Sequence, residues 1–363
     1  MKLGIIGCGG RISGMVKAFK EVCPELKVTA VLDPDQEKAR GRLPEDSRAD
    51  AKFHSTVKEL IEVGKPDAIA IGTRCDLHTP YAVQVAAYDL PLYLEKPVSN
   101  SMEQATALER AFATSKCQVV VSFPLRVSPL CVRARRLIDE GAVGRVEHIL
   151  GINYVPYGSV YFDSWYKDYK ITGGLFLQKA THDLDYLMYL AGAPIVRVAA
   201  MTSKGRVFRD ASTKGKNPDP SVSFYEGIGT PETGMNEDSS SALLEFANGA
   251  KGVYTQIFFV KRSAGARGAT VTGWNGTISF DWNRKELKRV WHHEPFDDVM
   301  TPAFGEGHGG GDQILAKNFV EVVQGKAKTI CPIKAGLDSA FACLAARESA
   351  DTGRFIDVHQ PQV

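Results

Sequence analysis

The chain has 363 residues and a mass of 39.6 kDa, and this length predicts two domains of roughly 150 residues or more. The 44 Lys and Arg residues nearly balance the 42 Asp and Glu residues, and the pI is about 8.1. This balance argues against a protein that binds nucleic acid mainly through charge, for which a pI above about 9 is typical. Hydrophobic residues make up 44% of the chain, which argues against disorder. The 34 glycines exceed the roughly 25 expected for this length and need an explanation.

Neither a membrane span nor a disulfide framework is indicated. No apolar run approaches the ~18 residues that cross a bilayer, and the run Leu3–Ile6 is too short for a secretory leader. The seven cysteines are scattered and form no C-x-x-C pair. We therefore expect a cytoplasmic protein with reduced thiols, no metal site and no membrane partner.

The first 122 residues alternate apolar strands with amphipathic helices. The predicted strands are Leu3–Gly7, Val28–Asp33, Ala68–Thr73, Leu90–Glu95 and Gln118–Phe123. Helices are predicted near 12–22, 35–42, 56–63, 79–88 and 101–115. Several strands are apolar throughout, as expected when helices cover both faces of a parallel sheet. The pattern predicts an α/β fold whose domain 1–122 is a doubly wound, dinucleotide-binding Rossmann domain.

The second half has a different pattern, and 123–363 is predicted to be a substrate-binding and oligomerisation domain. Helices are expected near 128–140, 174–191, 310–325 and 334–351, and the last is the candidate to pack back on the first domain. Strands are expected at Val146–Val155, Val196–Ser203, Ser241–Ala247, Gly252–Val260, Thr270–Thr272, Thr277–Asp281 and Leu287–His292. Asn248-Gly249 and Asn275-Gly276 favour hairpin turns. We predict an α+β domain with an open-faced, mostly antiparallel sheet, interrupted by a long irregular excursion at Lys204–Asn236.

A glycine-rich turn follows the first predicted strand. Gly7 permits a tight turn, and Gly9, with Gly10 beside it, lets the backbone approach a pyrophosphate at a helix N-terminus. The third glycine of G-x-G-x-x-G is replaced by Ile12, so the motif is incomplete. These residues are candidate cofactor contacts, and Arg11 is a candidate contact for a phosphate. Glycines also occur in such turns for backbone geometry alone.

Asp33 strengthens the dinucleotide interpretation. It ends the second predicted strand, 26 positions after Gly7, where an acidic residue bonds the adenosine ribose and disfavours a 2′-phosphate. The alternative is an ordinary turn aspartate before Pro34. Together with the glycine turn, Asp33 predicts NAD as cofactor in preference to NADP, although Arg11 beside a phosphate would suit NADP as well.

Three further segments carry a resemblance to a known family. Gly72-Thr73-Arg74-Cys75-Asp76-Leu77-His78 follows one predicted strand and Glu95-Lys96-Pro97 follows the next. The third runs from Gly173-Gly174 through Gln178-Lys179-Ala180-Thr181-His182 to Asp185. In this order and spacing, the chain resembles the Gfo/Idh/MocA family of sugar and polyol dehydrogenases over nearly its whole length.

The resemblance implies roles for individual residues. Thr73 and His78 would line the edge of the cofactor, and Glu95 would contact the nicotinamide ribose region. Lys96 would bond the reacting hydroxyl, and Pro97 would follow a cis peptide. Arg126 would lie near the cofactor carboxamide. His182 would be the acid/base at the substrate, a role that suits a histidine because its unperturbed pKa is near 6.5.

The sequence departs from the family pattern at Gln178, where many members have Asp. Lys179 follows it and becomes a second catalytic candidate. On a continuous helix, Gln178 and Lys179 both lie beside His182, and Asp185 is placed to orient the imidazole. Each of these residues also has a purely structural alternative. Lys179 would form a surface pair with Asp183 at i,i+4, and His182 would be a partly buried structural histidine. Lys96 would be a solvated loop lysine.

Three other residues are candidate substrate contacts. Trp165 and Tyr166 precede the Gly-Gly helix start and are suited to stack on a sugar ring, or else belong to the core. His308 opens a His-Gly-Gly-Gly-Asp segment that is either a substrate-contacting turn or a simple helix entry. They join Lys96, Gln178, Lys179 and His182 as the predicted substrate site.

Three functions remain open from the sequence. The first is an NAD-dependent oxidoreductase acting on a secondary hydroxyl of a sugar, glycoside or cyclic polyol. The second is a glycoside-processing enzyme that uses NAD transiently, by oxidation, elimination and reduction. The third is a non-catalytic dinucleotide-binding sensor, against which the presence of Lys96 and His182 argues. A sugar-like small molecule is the expected partner, nucleic acid is not, and the resemblance implies a homodimer or homotetramer.

Overall fold

The computed structural model describes residues 1–162, 164–208, 236–303 and 307–363, which form two compact units. The first unit contains Met1–Val127, the described part of Gly305–Leu337 and Pro361–Val363. The second contains the described part of Ser128–Phe304 together with Asp338–Gln360. The chain therefore passes from the first unit to the second five residues after the predicted position 122, returns to the first, and then re-enters the second.

The first unit is built on a parallel sheet. Its strands are β1 (Lys2–Ile6), β2 (Lys27–Leu32), β3 (Lys52–Phe53), β4 (Ala68–Ile71), β5 (Leu92–Leu94) and β6 (Val119–Val121). Its first helices are α1 (Gly10–Val22), α2 (Gln36–Arg42), α3 (Glu45–Arg48), α4 (Val57–Glu62), α5 (His78–Ala86) and α6 (Met102–Phe112). The strand order β3-β2-β1-β4-β5-β6 is the doubly wound Rossmann order, so the predicted fold is confirmed. The short β3 and α3 were not predicted.

The second unit is built on a nine-stranded sheet. Its helices are α7 (Pro129–Asp139), α8 (Tyr169–Thr172), α9 (Leu175–Gln178) and α10 (Ala180–Ala191). The strands are β7 (Val146–Tyr154), β8 (Ile195–Lys204), β9 (Glu237–Phe246), β10 (Lys251–Ile257), β11 (Ala266–Gly273), β12 (Gly276–Asp281), β13 (Glu286–Trp291), β14 (Asp297–Met300) and β15 (Ile356–Asp357). Their order is β14-β13-β12-β11-β7-β10-β9-β8-β15. Only β7 and β10 pair in parallel, which confirms a mostly antiparallel sheet.

Two helices near the C-terminus complete the described structure. Helix α11 (Gly311–Val323) belongs to the first unit, where Phe319 packs against Phe19 of α1 and Tyr93 of β5 with ring centroids 4.9 and 5.6 Å apart. Helix α12 (Ile333–Thr352) starts in the first unit and continues in the second from Asp338. Most of the predicted excursion Lys204–Asn236 lies outside the described residues, which resume at Asn236.

The continuous helix predicted over 174–191 is wrong, because the structure has two helices joined at Lys179. Gly173 and Gly174 have φ of 72° and 85°, in the left-handed region. A Cβ on Gly174 would lie 2.5 Å from the Tyr169 ring and 2.7 Å from Glu237 Oε1. The glycine therefore lets Glu237 Oε2 accept hydrogen bonds from the N–H groups of Leu175 and Phe176 at the start of α9. This buried carboxylate holds the short helix that ends just before Lys179.

Candidate functional site

The glycine turn of the first unit has the geometry of a phosphate-binding loop. Gly7 has φ of 80°, and a Cβ there would lie 2.7 Å from the backbone N of Thr73, so only glycine fits. Gly9 precedes the first turn of α1, which has no side-chain cap. A Cβ on Gly10 would meet no atom within 4 Å. The space beside this helix N-terminus is therefore open, which fits the pyrophosphate of a dinucleotide.

The incomplete glycine motif is compensated elsewhere. Ile12, at the third glycine position, is fully buried. A Cβ on Gly72, just after β4, would lie 1.9 Å from Ile12 Cγ1. In the usual motif the third glycine allows close packing of the helix against the strand. Here the large side chain, Ile12, is on the helix, and the glycine, Gly72, is on the opposite loop. Ile12 is therefore a packing residue beside the turn.

Asp33 lies beside the glycine turn, as the sequence predicts for a ribose-binding acid. Its Oδ2 accepts a hydrogen bond from the N–H of Cys8 at 2.8 Å, and its Oδ1 accepts one from Asp35 at 2.9 Å. Arg42 donates to the carbonyl oxygen of Cys8 at 3.2 Å and lines a cavity of about 600 Å³ together with Ser13 and Lys17. A carboxylate and a guanidinium therefore bind the backbone of the same residue, Cys8.

The loops after β4 and β5 are joined by His78. Its ring is buried, with Nδ1 2.8 Å from the Pro97 carbonyl oxygen and Nε2 3.3 Å from the Thr73 carbonyl oxygen. Burial lowers the pKa of His78, and the hydrogen bonds to the carbonyl oxygens of Pro97 and Thr73 oppose this shift. The Lys96–Pro97 peptide is cis, as expected. His78 thus holds the Thr73 and Lys96 segments together through backbone atoms, while its predicted contact with the cofactor edge stays a prediction.

Arg11 is held by two carboxylates of the first unit. Its Nε donates to Glu95 Oε1 at 3.0 Å, and its two terminal nitrogens donate to the carboxylate oxygens of Asp312 at 2.9 and 2.7 Å. His308 Nδ1 lies 3.0 Å from Asp312 Oδ2. This network links the glycine turn, Glu95 and the His308 segment. Asp312 was not singled out from the sequence, although it ends the quoted His-Gly-Gly-Gly-Asp motif.

The segment that contains Arg126 packs against the start of α11. A Cβ on Gly311 would lie 1.9 Å from the carbonyl oxygen of Pro124, so a glycine is required at this approach. Arg126 is half-buried two residues further on. The structure thereby brings Arg126, His308 and Arg11 into one unit, and their predicted contacts with cofactor or substrate stay predictions.

The second unit buries an amine among phenol groups. Lys179, 7% exposed, donates from Nζ to the hydroxyl oxygens of Tyr161 at 2.8 Å and Tyr157 at 3.2 Å. Burial, with a smaller contribution from the charge of Arg267, lowers the pKa of Lys179 from 10.5 to about 7, and Asp183 opposes this shift. An amine with this pKa is able to take up or release a proton at neutral pH.

The surface pair between Lys179 and Asp183 is contradicted by the structure. Asp183 is fully buried, and Arg267 Nε donates to its Oδ1 at 2.8 Å. Asn153 and Tyr254 each donate to its Oδ2 at 2.7 Å. The carboxylate is thus fully engaged away from Lys179 Nζ. A sequence signal for Arg267 was absent, because it lies 88 positions after Lys179, on strand β11.

His182 and Gln178 are both buried close to Lys179 in the chain, at 5% and 6% exposure. His182 lies one turn into α10, and Gln178 is the last residue of α9. Because the helix is interrupted at Lys179, the predicted i,i+4 geometry between Gln178 and His182 does not follow from a regular helix. The predicted roles of all three at the substrate stay predictions.

The predicted aromatic contacts lie next to the Lys179 cluster, which consists of Lys179, Tyr157 and Tyr161. Trp165 and Tyr166 stack with ring centroids 3.9 Å apart, and Tyr166 meets Tyr161 edge-on at 5.4 Å. Both are partly exposed. Tyr157 and Tyr161 themselves were not predicted as site residues.

The described residues contain neither a metal-binding cluster nor a helix suited to cross a membrane. Within the described ranges, no group of three or more His, Cys, Asp or Glu side chains is arranged to hold a metal ion. In the same part of the chain, no helix combines the length and apolar character needed to cross a membrane. None of the seven cysteines, all of which lie in the described ranges, forms a disulfide.

Comparison with known proteins defines the class. Residues 1–123 match the oxidoreductase family, NAD-binding Rossmann fold, and residues 135–358 match the oxidoreductase family, C-terminal alpha/beta domain. The chain belongs to the Gfo/Idh/MocA oxidoreductase family, and its first unit is an NAD-binding Rossmann domain.

Individual relatives are distant. The chain is 28% identical to the putative oxidoreductase YteT of Bacillus subtilis over 46% of its own length and 40% of that protein. It is 26% identical to levoglucosan dehydrogenase of Pseudarthrobacter phenanthrenivorans over 93% of its length and 90% of that protein. A solved structure of levoglucosan dehydrogenase with NADH and levoglucosan has a TM-score of 0.81 at 20% identity, covering 99% of this chain and all of that one. At this identity, the structure shows the shared fold.

Proposed function

We propose that the protein is an NAD-dependent dehydrogenase that oxidises a secondary hydroxyl of a sugar, glycoside or cyclic polyol. The observation that carries the proposal is the Lys179 cluster, a buried amine with a pKa of about 7 located three residues before His182, in a chain that also has an NAD-binding unit. The names of relatives, levoglucosan dehydrogenase and scyllo-inositol 2-dehydrogenase (NAD(+)) among them, support a sugar-like substrate.

The residues divide the work of alcohol oxidation. NAD, when bound, supplies the acceptor for the hydride. The N-terminus of α1 and Gly9 bind its pyrophosphate, and Asp33 accepts hydrogen bonds from its ribose. Lys96 bonds the reacting hydroxyl and stabilises the developing alkoxide. His182, with Lys179, holds the proton that leaves the hydroxyl.

A panel of sugars and polyols with NAD, followed by NADH absorbance, tests the proposal. We expect turnover of at least one compound, and a loss of about 10²–10⁴-fold in kcat/KM for Lys96→Met and His182→Asn. Lys116→Met and His148→Asn change the same residue types at exposed positions and should retain wild-type rates. Tight NAD binding without turnover of any compound would contradict the dehydrogenase.

A transient use of NAD is the second candidate, and Gln178 with the near-neutral Lys179 favours it. A neutral amine is able to remove the acidic proton next to a newly formed ketone, as elimination of an aglycone requires. Release of nitrophenol from nitrophenyl glycosides, dependent on catalytic NAD and without accumulation of NADH, would establish this route in place of net oxidation.

We also propose a homodimer or homotetramer that forms through the open face of the nine-stranded sheet, in a cytoplasmic setting. Leu150, Leu243 and Val299 are 38%, 54% and 60% exposed, and Met201 is 78% exposed. The strand registers place these side chains on one face. A face of this kind is typical of association surfaces, and the free thiols suit a reducing compartment. Light scattering of the purified protein tests the oligomer, and a monomer at micromolar concentration would contradict it.

A further inference from the structure

Tyr157 is the exposed member of the Lys179 cluster. Its side chain is 54% exposed, whereas Lys179 and Tyr161 are each 7% exposed. The amine donates to the hydroxyls of both tyrosines, at 3.2 Å for Tyr157 and 2.8 Å for Tyr161. It also lies 5.2 and 5.1 Å from the centres of the two rings. A molecule arriving from solvent therefore meets the Tyr157 side chain before it meets the amine.

The charges around the amine suit a reversible proton acceptor. Arg267 disfavours the ammonium form, Asp183 favours it, and His182 is one helical turn away. Burial raises the pKa of Tyr161 well above 10, so this phenol stays protonated. When Lys179 is neutral, its lone pair is able to accept a proton from a tyrosine hydroxyl, and when it is an ammonium, it donates back along the same 3.2 Å contact.

We propose that Tyr157 is a further catalytic residue, whose hydroxyl contacts the reacting hydroxyl of the substrate and passes its proton to Lys179. The inference rests on the proposed dehydrogenase function. The substrate O–H bond breaks, and its proton joins the Tyr157 oxygen as Tyr157 gives its own proton to Lys179 Nζ. The hydride on the same carbon goes to NAD⁺. The products are a carbonyl compound, NADH and the Lys179 ammonium, and reduction runs through the same steps in reverse.

Direct attack on the amine is the simpler alternative, and the contacts disfavour it. Two phenol oxygens already occupy two of the three hydrogen-bonding positions of the amine, and the residue that carries it is only 7% exposed. A sugar hydroxyl bonded to Nζ would displace Tyr157, whereas a hydroxyl bonded to Tyr157 leaves the cluster intact. The Trp165–Tyr166 stack, next to Tyr161, offers an apolar surface for the ring of the same substrate.

Tyr157→Phe tests the proposal, because it removes only the hydroxyl. On a sugar or polyol that the unchanged protein oxidises with NAD, we expect kcat to fall by about 10²–10³-fold, while the KM for NAD and the melting temperature stay the same. Tyr88→Phe is the matched control, since it removes a surface hydroxyl that lies 3.4 Å from Glu62. Lys179→Arg, a side chain that cannot lose its proton, should show a loss similar to that of Tyr157→Phe.

A second measurement needs neither substrate nor turnover. The pH dependence of Lys179 acetylation by acetic anhydride, read by mass spectrometry, reports the charge of the amine. We expect a midpoint near 7 in the wild type and in Tyr157→Phe alike, because burial and Arg267 determine the pKa of Lys179.

The outcomes distinguish a failure of the proton transfer through Tyr157 from a failure of the proposed dehydrogenase function. A midpoint that rises toward the ordinary lysine value of about 10.4 in Tyr157→Phe would show that Tyr157 only shields the amine, and it would overturn the proton transfer. Wild-type turnover with less than about a threefold loss in Tyr157→Phe, under 1 kcal/mol of transition-state stabilisation, would overturn it as well. Absence of wild-type turnover on every compound would instead overturn the dehydrogenase function itself.

Discussion

The glycine turn of the first unit and the Lys179 cluster of the second unit are assembled in different ways. Gly7, Gly9 and Asp33 lie within 26 positions of one another, and backbone geometry brings them together. Lys179 instead meets Tyr157 and Tyr161 from a preceding loop, and Arg267 influences it from a strand 88 positions away. A site made by the backbone leaves a motif in the sequence, whereas a site made by distant side chains leaves scattered residues.

Loss of Arg267 should have the largest effect on folding, because the second site depends on buried charge. Arg267→Met leaves Asp183 fully buried with its cation removed, and we expect a loss of about 3–5 kcal/mol in the free energy of unfolding, measured by urea denaturation. Arg145→Met is the control, since Arg145 pairs with Glu147 at an exposed position and should cost less than about 1 kcal/mol. Equal losses in the free energy of unfolding for the two variants would mean that the buried Arg267–Asp183 pair contributes no more to stability than the exposed Arg145–Glu147 pair.

The two sites should also differ in how they affect the pH dependence of stability, because the second site holds a buried amine with a lowered pKa. The pKa of Lys179 is lowered to about 7 in the folded protein, so between pH 7 and about 10 the unfolded chain binds more protons. Lys179 therefore makes the free energy of unfolding rise with pH in this window, by up to about 1.4 kcal/mol per unit. Lys179→Met should lack this rise, as denaturant midpoints between pH 7 and pH 9 would show.

The control for this pH effect is Lys251→Met, at an exposed position, which should keep the wild-type slope. Parallel curves for the wild type and Lys179→Met would contradict the lowered pKa of Lys179 and place the amine in contact with water.

A double-mutant cycle at Ile12 and Gly72 tests the backbone-built site. Gly72→Ala places a Cβ 1.9 Å from Ile12 Cγ1, and we expect a cost of about 1–3 kcal/mol from overpacking together with weaker NAD binding. In an Ile12→Ala background the same change should cost much less, because the clashing atoms are gone. Additive costs, measured by denaturation, would show that the two residues are not coupled.

The smallest expected effect concerns the choice of cofactor. Asp33→Ser removes the carboxylate that disfavours a 2′-phosphate, while Arg42 stays next to Cys8 and the adjoining cavity. We expect the ratio of NADP to NAD affinity to rise by about tenfold, or 1.4 kcal/mol, in titrations followed by fluorescence. Asp35→Ser, two residues further on, should leave the ratio unchanged. An unchanged ratio in Asp33→Ser would remove Asp33 from the ribose site.

Most of the first unit was predictable because its signals are local. The apolar strands were predicted correctly, and Asp33 lies beside the glycine turn, as expected. Helix starts follow capping residues such as Thr56 and Ser101. The short β3 gave no pattern to detect, because only two residues pair with β2. The packing of Ile12 against Gly72 was not predictable either, since it joins positions 60 residues apart.

In the second unit the sequence predicted the wrong geometry around Lys179. Periodicity made 174–191 a single helix, because nothing local marks the break at Lys179. The start of α9 is held by a distant residue, because buried Glu237 binds the N–H of Leu175. Likewise, i,i+4 spacing suggested a Lys179–Asp183 pair, but Arg267 from β11 takes the carboxylate instead. A buried guanidinium that stays charged and donates from Nε outcompetes an amine that burial drives toward neutrality.

By itself the sequence determined the Rossmann order of the first unit, the antiparallel character of the second sheet and the family, because each depends on local periodicity and short motifs. Only the tertiary structure decided that Lys179 is buried beside Tyr157 and Tyr161, that Asp183 belongs to Arg267 and that Arg11 belongs to Glu95 and Asp312. The physical reason is that desolvation and long-range hydrogen bonds determine the charge and partner of a side chain, and both depend on residues far away in the chain.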